Sequence, residues 1–249
     1  MTSAEAIASG VVQGLTEFFP VSSSGHLVLL HHLFGAPVPQ LSFDLFLHMG
    51  TALAILIYFK EEIFSLFTKE KRFLGLLFWG FLPTGVIGFL FAKKIEALFG
   101  SPRAVSAAFL ITALWLWIGN RHKESPSGLN VWKALTIGVS QGIAIAPGIS
   151  RSGATVATAL LLGVSPREAV RYSFLLAIPT IIVAFGYEVL RHPMAWGQDL
   201  LPLWLGFGVS FVVGLFAIGV LRTLAQKRRL YFFSLYLVVL GMGGLIYFR

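Results

Sequence analysis

The chain has 249 residues, of which 56% are hydrophobic and only 12% charged, about half the charged share of a typical soluble domain. This balance excludes an ordinary water-soluble globule, and the absence of cysteine excludes disulfides and thiolate metal sites. The net charge of +8 is not a nucleic-acid signature, because the basic residues lie in short loops between apolar runs, where membrane topology places them.

In chain order, Met1 to Glu5 lacks a basic n-region, so no cleavable signal peptide is expected. Ala4 to Phe19 is apolar but carries Gln13 and Glu17, breaks at Pro20, and resumes after Ser22-Ser23-Ser24-Gly25 only as far as Phe34. Non-helical backbone at membrane depth is tolerated only inside protein or beside a wet cavity. The stretch about 4–34 is therefore read as a re-entrant hairpin of two half-helices. Apolar runs follow at about 43–59, 73–92 and 104–119, each near the roughly 20 residues that cross a bilayer. Asn120 to Asn130 is a polar linker with Pro126 and Gly128. A second interrupted stretch, about 134–162, breaks at Pro147-Gly148, and runs at about 169–190, 201–221 and 230–248 complete the chain.

The two hairpins are related. Residues 6–35 align without a gap on residues 134–163, Gln13-Gly14 falling on Gln141-Gly142 and Ser22 to Gly25 on Ser150 to Gly153. The alignment holds 11 identities in 30 positions, where composition alone gives about three. The expected fold is an all-α polytopic membrane protein made of two repeats, 1–125 and 126–249, forming one integrated membrane domain. Each repeat is a re-entrant helical hairpin plus three transmembrane helices. Three spans are an odd number, so the second repeat is inverted and the hairpins meet tip to tip. Of the 19 Lys and Arg residues, 13 fall on one predicted side and five on the other, with Arg151 set apart. The richer side is expected to be cytoplasmic, which turns the mouth of the first hairpin outward.

Chemistry is expected where the repeats differ: Glu17 over Ile145, Ser23 over Arg151, His26 over Ala154. Arg151 lies far from any predicted interface, and an intramembrane Arg, costing about 2.5 to 3.5 kcal/mol to insert, marks a functional site. Its fork suits phosphate. Pro147 to Thr155 is a Gly- and Ser-rich turn opening a half-helix, whose N–H groups can cradle an anion. Gln13 and Glu17 share a helix face; the carboxylate can hold a divalent cation, orient His26 or pair with Arg151. His26 is a candidate base, acid or nucleophile. His48 and Asp44 are weaker candidates, and His31 and His32 are expected to be solvated near an interface. A phosphatase signature of the lipid acid-phosphatase type is excluded, since Ser24-Gly25-His26 has no Arg-Pro element to accompany it.

Gln13-Gly14-Leu15-Thr16-Glu17-Phe18-Phe19-Pro20-Val21-Ser22-Ser23-Ser24-Gly25-His26 resembles the first motif of the undecaprenyl-diphosphate phosphatase, or bacitracin-resistance, family. Pro147-Gly148-Ile149-Ser150-Arg151-Ser152-Gly153-Ala154-Thr155 resembles the second. Phe43-Asp44, His48-Met49-Gly50-Thr51 and Tyr172 to Pro179 are similar as well, Met49 standing where the family more often has Leu. The resemblance implies hydrolysis of undecaprenyl diphosphate to the monophosphate and phosphate. It implies functional roles for Ser23, His26 and Arg151, and Gln13 with Glu17 fits the family's pattern of a Glu or Gln ahead of a fixed Glu. The expected arrangement has Ser23 attacking with His26 as base. Arg151, Ser22, Ser24, Gly25, Ser150, Ser152, Gly153 and Thr155 hold the phosphates, and Mg2+ or Ca2+ sits at Glu17 and Gln13. Expected partners are a polyprenyl diphosphate lipid, the bilayer and a second copy in a homodimer, with no nucleic acid. The rival class is an inverted-repeat transporter or lipid flippase.

The charge asymmetry makes a topology prediction. A cysteine introduced at Asn120 or Gln226 is labelled by an impermeant thiol reagent only from the cytoplasm, and one at Gln198 only from outside. Labelling of 120 and 198 from the same side refutes the inversion.

Overall fold

A computed structural model describes residues 2–35, 41–121, 128–191, 200–227 and 229–248. Gln198 and most of the predicted linker lie outside these. The described residues are helical with no strand: α1 (Ser3–Thr16), α2 (Ser23–Leu33), α3 (Leu41–Tyr58), α4 (Lys60–Thr68), α5 (Lys71–Phe99), α6 (Pro102–Arg121), α7 (Val131–Ile143), α8 (Arg151–Leu161), α9 (Pro166–Arg191), α10 (Leu200–Gln226) and α11 (Tyr231–Tyr247). Among them α5, α6, α9 and α10 are long and apolar enough to cross a membrane, and α3 with α4 makes a fifth candidate bent by 67°. The protein is a polytopic membrane protein. Its lipid-facing girdle shows in the exposed Phe78, Phe89, Val212, Phe216 and Val239, side chains that water would not tolerate in such number.

Both interrupted stretches are broken helices. α1 stops at Thr16 and α2 starts at Ser23; α7 stops at Ile143 and α8 starts at Arg151. The same device caps each second arm. Ser22 Oγ accepts from the Gly25 N–H at 3.4 Å, and Ser150 Oγ accepts from the Gly153 N–H at 3.0 Å, as expected where a hydroxyl precedes a helix. Each first arm packs on a long helix of the other half through small residues. Gly10 and Gly14 of α1 lie against Gly206, Val209 and Val213 of α10, and Gly138 and Gly142 of α7 lie against Gly80 and Ile87 of α5. Lipid tails offer no hydrophobic drive for helix pairing, so close backbone approach supplies the contact energy.

Two Pro-Thr steps mark the long helices. Pro83 in α5 and Pro179 in α9 each remove one intrahelical hydrogen bond. The threonine after each bonds back along its own helix, Thr84 to the Gly80 carbonyl and Thr180 to the Leu176 carbonyl. Gln141 of α7 ties the two together, donating to Thr84 Oγ1 at 3.1 Å and Thr180 Oγ1 at 2.9 Å. The main apolar core lies among α3, α5, α9 and α10, with Phe18 packed edge-on against Phe174 at 5.4 Å. At one end, Arg171 forks onto both Glu70 oxygens at 2.9 Å and lies over the Phe73 ring, holding the Glu70 carboxyl below the usual carboxylate range.

The glycine seams set a stability test. A Cβ on Gly138 meets the Gly80 carbonyl and backbone, whereas one on Gly75 meets nothing within 4 Å. Gly138→Ala is expected to lower stability by about 1–3 kcal/mol, and Gly75→Ala to be neutral or stabilising through its better helix propensity. Thermal unfolding in one detergent compares them; equal melting temperatures contradict the seam.

Candidate active site

The hairpin tips meet. The Gly148 N–H donates to Ser22 Oγ at 3.1 Å, and Ser152 Oγ donates to the Phe19 carbonyl at 3.2 Å. These cross-links satisfy backbone groups that the broken helices leave open inside the protein. Gly148 is needed here, because its φ is +90° and a Cβ on it would strike the Val105 carbonyl and Ala108. Ser22 is the one described non-glycine residue at positive φ, +68° with ψ 94°, a strain on the order of 1–3 kcal/mol.

The turn after α1 presents Glu17, which is 7% exposed and meets four neighbours. Arg151 Nη2 donates to Oε1 at 2.5 Å. Ser23 Oγ donates to Oε2 at 2.5 Å, and Gln13 Nε2 donates to the same oxygen at 3.1 Å. His48 Nε2 stands 3.4 Å from Oε2. Arg151 completes its set with the Ser173 carbonyl. Arg151, Ser23 and Gln13 each direct an N–H or O–H at this buried carboxylate, which offsets the cost of its burial. Glu17, Ser23, His48 and Arg151 line a cavity of about 210 Å3, together with Ser22, Ser24, Asp44, Ser150, Gln141 and Thr180. The N-termini of α2 and α8 both open at its wall, at Ser23 and Arg151. Two helix starts and a guanidinium favour an anion there.

Not every expected residue faces this cavity. His26 points away: Nδ1 bonds the Ser22 carbonyl at 2.8 Å and Nε2 the Tyr236 hydroxyl at 2.7 Å. Ser23 hands its hydroxyl to Glu17 instead. Thr155 is fully buried, its hydroxyl engaged with the Arg151 and Ser152 carbonyls and with Ser173 Oγ. It braces α8 rather than lining the cavity. Gly25 packs on Phe109, and Gly153 and Ser152 serve the cap and the tip contact. The sequence position of His31 suggested a solvated side chain, and the structure buries it. It is 1% exposed, because α2 lays it against Phe43 and beside Asp44 Oδ1 at 3.6 Å. His32 does lie on the surface, edge-on to Phe248.

Sequence reasoning passed over Gln141, Thr180 and Ser173. Gln141 had a signal, since it aligns with Gln13 in the repeat. The parallel is structural as well: Gln13 Nε2 reaches Thr51 on α3 as Gln141 Nε2 reaches Thr180 on α9. In both glutamines Oε1 is buried without a hydrogen-bond partner. Among the described residues, no group of three or more His, Asp or Glu is clustered to hold a metal ion.

The fold and cavity define a class: a polytopic membrane protein with a buried Arg-carboxylate-serine cluster where two broken helices meet. The particular family follows from comparison with known proteins. Residues 6–243 match the family model described as bacitracin resistance protein BacA, and the chain belongs to that family. It is similar to the undecaprenyl-diphosphatase of Carboxydothermus hydrogenoformans, 40% identical over 99% of this chain and 97% of the relative. The undecaprenyl-diphosphatases of Christiangramia forsetii (38%, covering 98% and 97%) and Korarchaeum cryptofilum (39%, covering 98% of each) are comparably similar.

The ion pair allows a cycle of variants. Removing one partner leaves a buried charge uncompensated, so Glu17→Ala or Arg151→Ala alone is expected to cost about 3–5 kcal/mol. The double variant is expected to be more stable than either single one. Additive losses in thermal unfolding contradict a coupled pair.

Proposed function

We propose that this chain hydrolyses undecaprenyl diphosphate to undecaprenyl phosphate and inorganic phosphate, recycling the lipid carrier of cell-wall synthesis. The observation that carries this reading is Arg151, Glu17 and Ser23 joined across the hairpin tips, in a chain of the bacitracin-resistance family. A flippase accounts for the apolar helices and the broken arms. It gives no reason for a serine hydroxyl held on a carboxylate beside a phosphate-binding guanidinium.

When the diphosphate enters, the Arg151 fork turns to the terminal phosphoryl group, with the α2 and α8 N-termini stabilising its charge. Glu17, released from the guanidinium, takes the Ser23 proton on Oε2. Ser23 Oγ forms a bond to the terminal phosphorus as the bridging P–O bond breaks, and undecaprenyl phosphate leaves with the bridging oxygen and the proton that Glu17 returns. Water, giving a proton to the regenerated Glu17 carboxylate, then attacks the phosphoserine. The P–Oγ bond breaks, Ser23 Oγ takes that proton from Glu17, and phosphate departs. Phosphoryl transfer of this kind depends on positioning and charge stabilisation. A divalent cation, Mg2+ or Ca2+, belongs to the same reading. Glu17 and Gln13 would hold it, Gln13 Oε1 being a buried oxygen still without a partner, and it would neutralise phosphate charge.

The isoprenoid tail has a path. A second, largely apolar cavity of about 340 Å3 lies between α5 and α9, lined by Phe81, Gly88, Phe89, Ile95 and Val183. It shares Leu45, Phe99, Ile145, Thr180 and Ala184 with the polar one. The first isoprene units run along this groove and the rest of the tail lies in the bilayer. Placement in the cytoplasmic membrane, with the cavity open outward, rests on the charge asymmetry. The relation between the two repeats is supported by their matched glycine seams, serine caps and Gln-Thr bonds, and their inversion rests on the odd number of spans and the charge asymmetry.

Phosphate release from undecaprenyl diphosphate by the purified protein tests the reading, and a protein that releases none overturns it. Arg151→Lys keeps the charge but loses the fork, so its kcat is expected to fall about 100-fold or more. Rapid acid quenching during turnover is expected to trap an acid-stable, base-labile phosphoenzyme that is absent in Ser23→Ala. An acid-labile adduct absent in His26→Ala would move the nucleophile to His26, and full turnover by Ser23→Ala would move it to water.

A further inference from the structure

The resemblance assigns His26 a functional role, yet its ring faces away from the cavity. Nδ1 lies 2.8 Å from the Ser22 carbonyl. A carbonyl only accepts, so Nδ1 carries the proton, and in the neutral ring Nε2 is an acceptor. Tyr236 of α11 supplies the donor, its hydroxyl 2.7 Å from Nε2 with the two rings stacked at 5.7 Å. On its other side the imidazole is edge-on to Phe109. The described contacts thus leave His26 no neighbour that carries charge, and none on a reacting group.

The Ser22 carbonyl is the pivot. It accepts both the His26 ring N–H and the His26 backbone N–H. Its own residue is held at φ +68° and receives the Gly148 N–H of the opposite hairpin on its hydroxyl. Ser23 follows directly, and its Oγ is then delivered to Glu17. A rotation of the Ser22 carbonyl turns the following peptide and withdraws Ser23 from the carboxylate. We propose that Tyr236 and His26 are positioning residues. Tyr236 fixes the imidazole tautomer, and the imidazole locks the Ser22 peptide so that Ser23 stays aimed at Glu17. This rests on the phosphatase reading above.

The arrangement separates two roles for His26. Asn can present its side-chain N–H close to where Nδ1–H lies, whereas Gln cannot without displacing the chain. His26→Asn is therefore expected to retain most of the kcat that His26→Ala loses, and His26→Gln to resemble Ala. Tyr236→Phe keeps the ring stack and is expected to lower kcat roughly three- to tenfold, the loss of one neutral hydrogen bond, with KM within about twofold of the parent. In a His26→Asn background, which has no Nε2, Tyr236→Phe is expected to change nothing further. The assays use the full chain in nanodiscs with undecaprenyl diphosphate, and phosphate release by the parent is the control. No release by the parent defeats the phosphatase reading itself. With an active parent, the inference is overturned if His26→Asn is as inactive as His26→Ala. It is equally overturned if Tyr236→Phe matches the parent, or has the same effect in both backgrounds.

Discussion

A helix broken inside an apolar protein exposes amides and carbonyls that no lipid can satisfy, and this constraint organises the whole molecule. The chain breaks two helices, then brings the breaks together so that each satisfies the other. Gly148 donates to Ser22, Ser152 to Phe19, and Arg151 to Glu17. None of these contacts is available to one hairpin alone. The glycine seams along α1 and α7 allow the approach, since a single methyl on Gly138 would push α7 away from α5.

The same closure creates the chemistry. A lone arginine or a lone carboxylate at this depth would be costly. Brought together across the hairpin tips, each offsets the cost of burying the other. Ser23 and Gln13 complete the carboxylate's shell. In the proposed reaction, substrate binding replaces one set of charge-assisted hydrogen bonds by another. The apolar groove continuing from the cavity suits a ligand with a charged head and a long hydrocarbon chain.

The repeat ancestry remains visible in two glutamines with different surroundings. Gln13 sits beside Glu17, whereas Gln141 spans Thr84 and Thr180 at the two proline steps. One half keeps the acid and the hydroxyl, and the other keeps the guanidinium. Divergence between repeats produced a site that neither could form by itself.

The amino-acid sequence alone determined the membrane class and the two breaks, and it singled out Glu17 and Arg151, which the fold brings together. Apolar runs, Pro20, Pro147-Gly148 and the misplaced charges Glu17 and Arg151 are local features that hydrocarbon physics reads directly. The bend after α3, the length of α5 and the partners of each polar group were not legible. They depend on which helices pack together. His31 shows this, since its neighbours in sequence point to an interface while its neighbour in space is Asp44. His26 shows it more sharply. Its place on the motif suggested a base for Ser23, but the side of α2 on which it stands faces Phe109 and Tyr236. A residue 210 positions away decides what that imidazole can do, and only the tertiary structure brings it there.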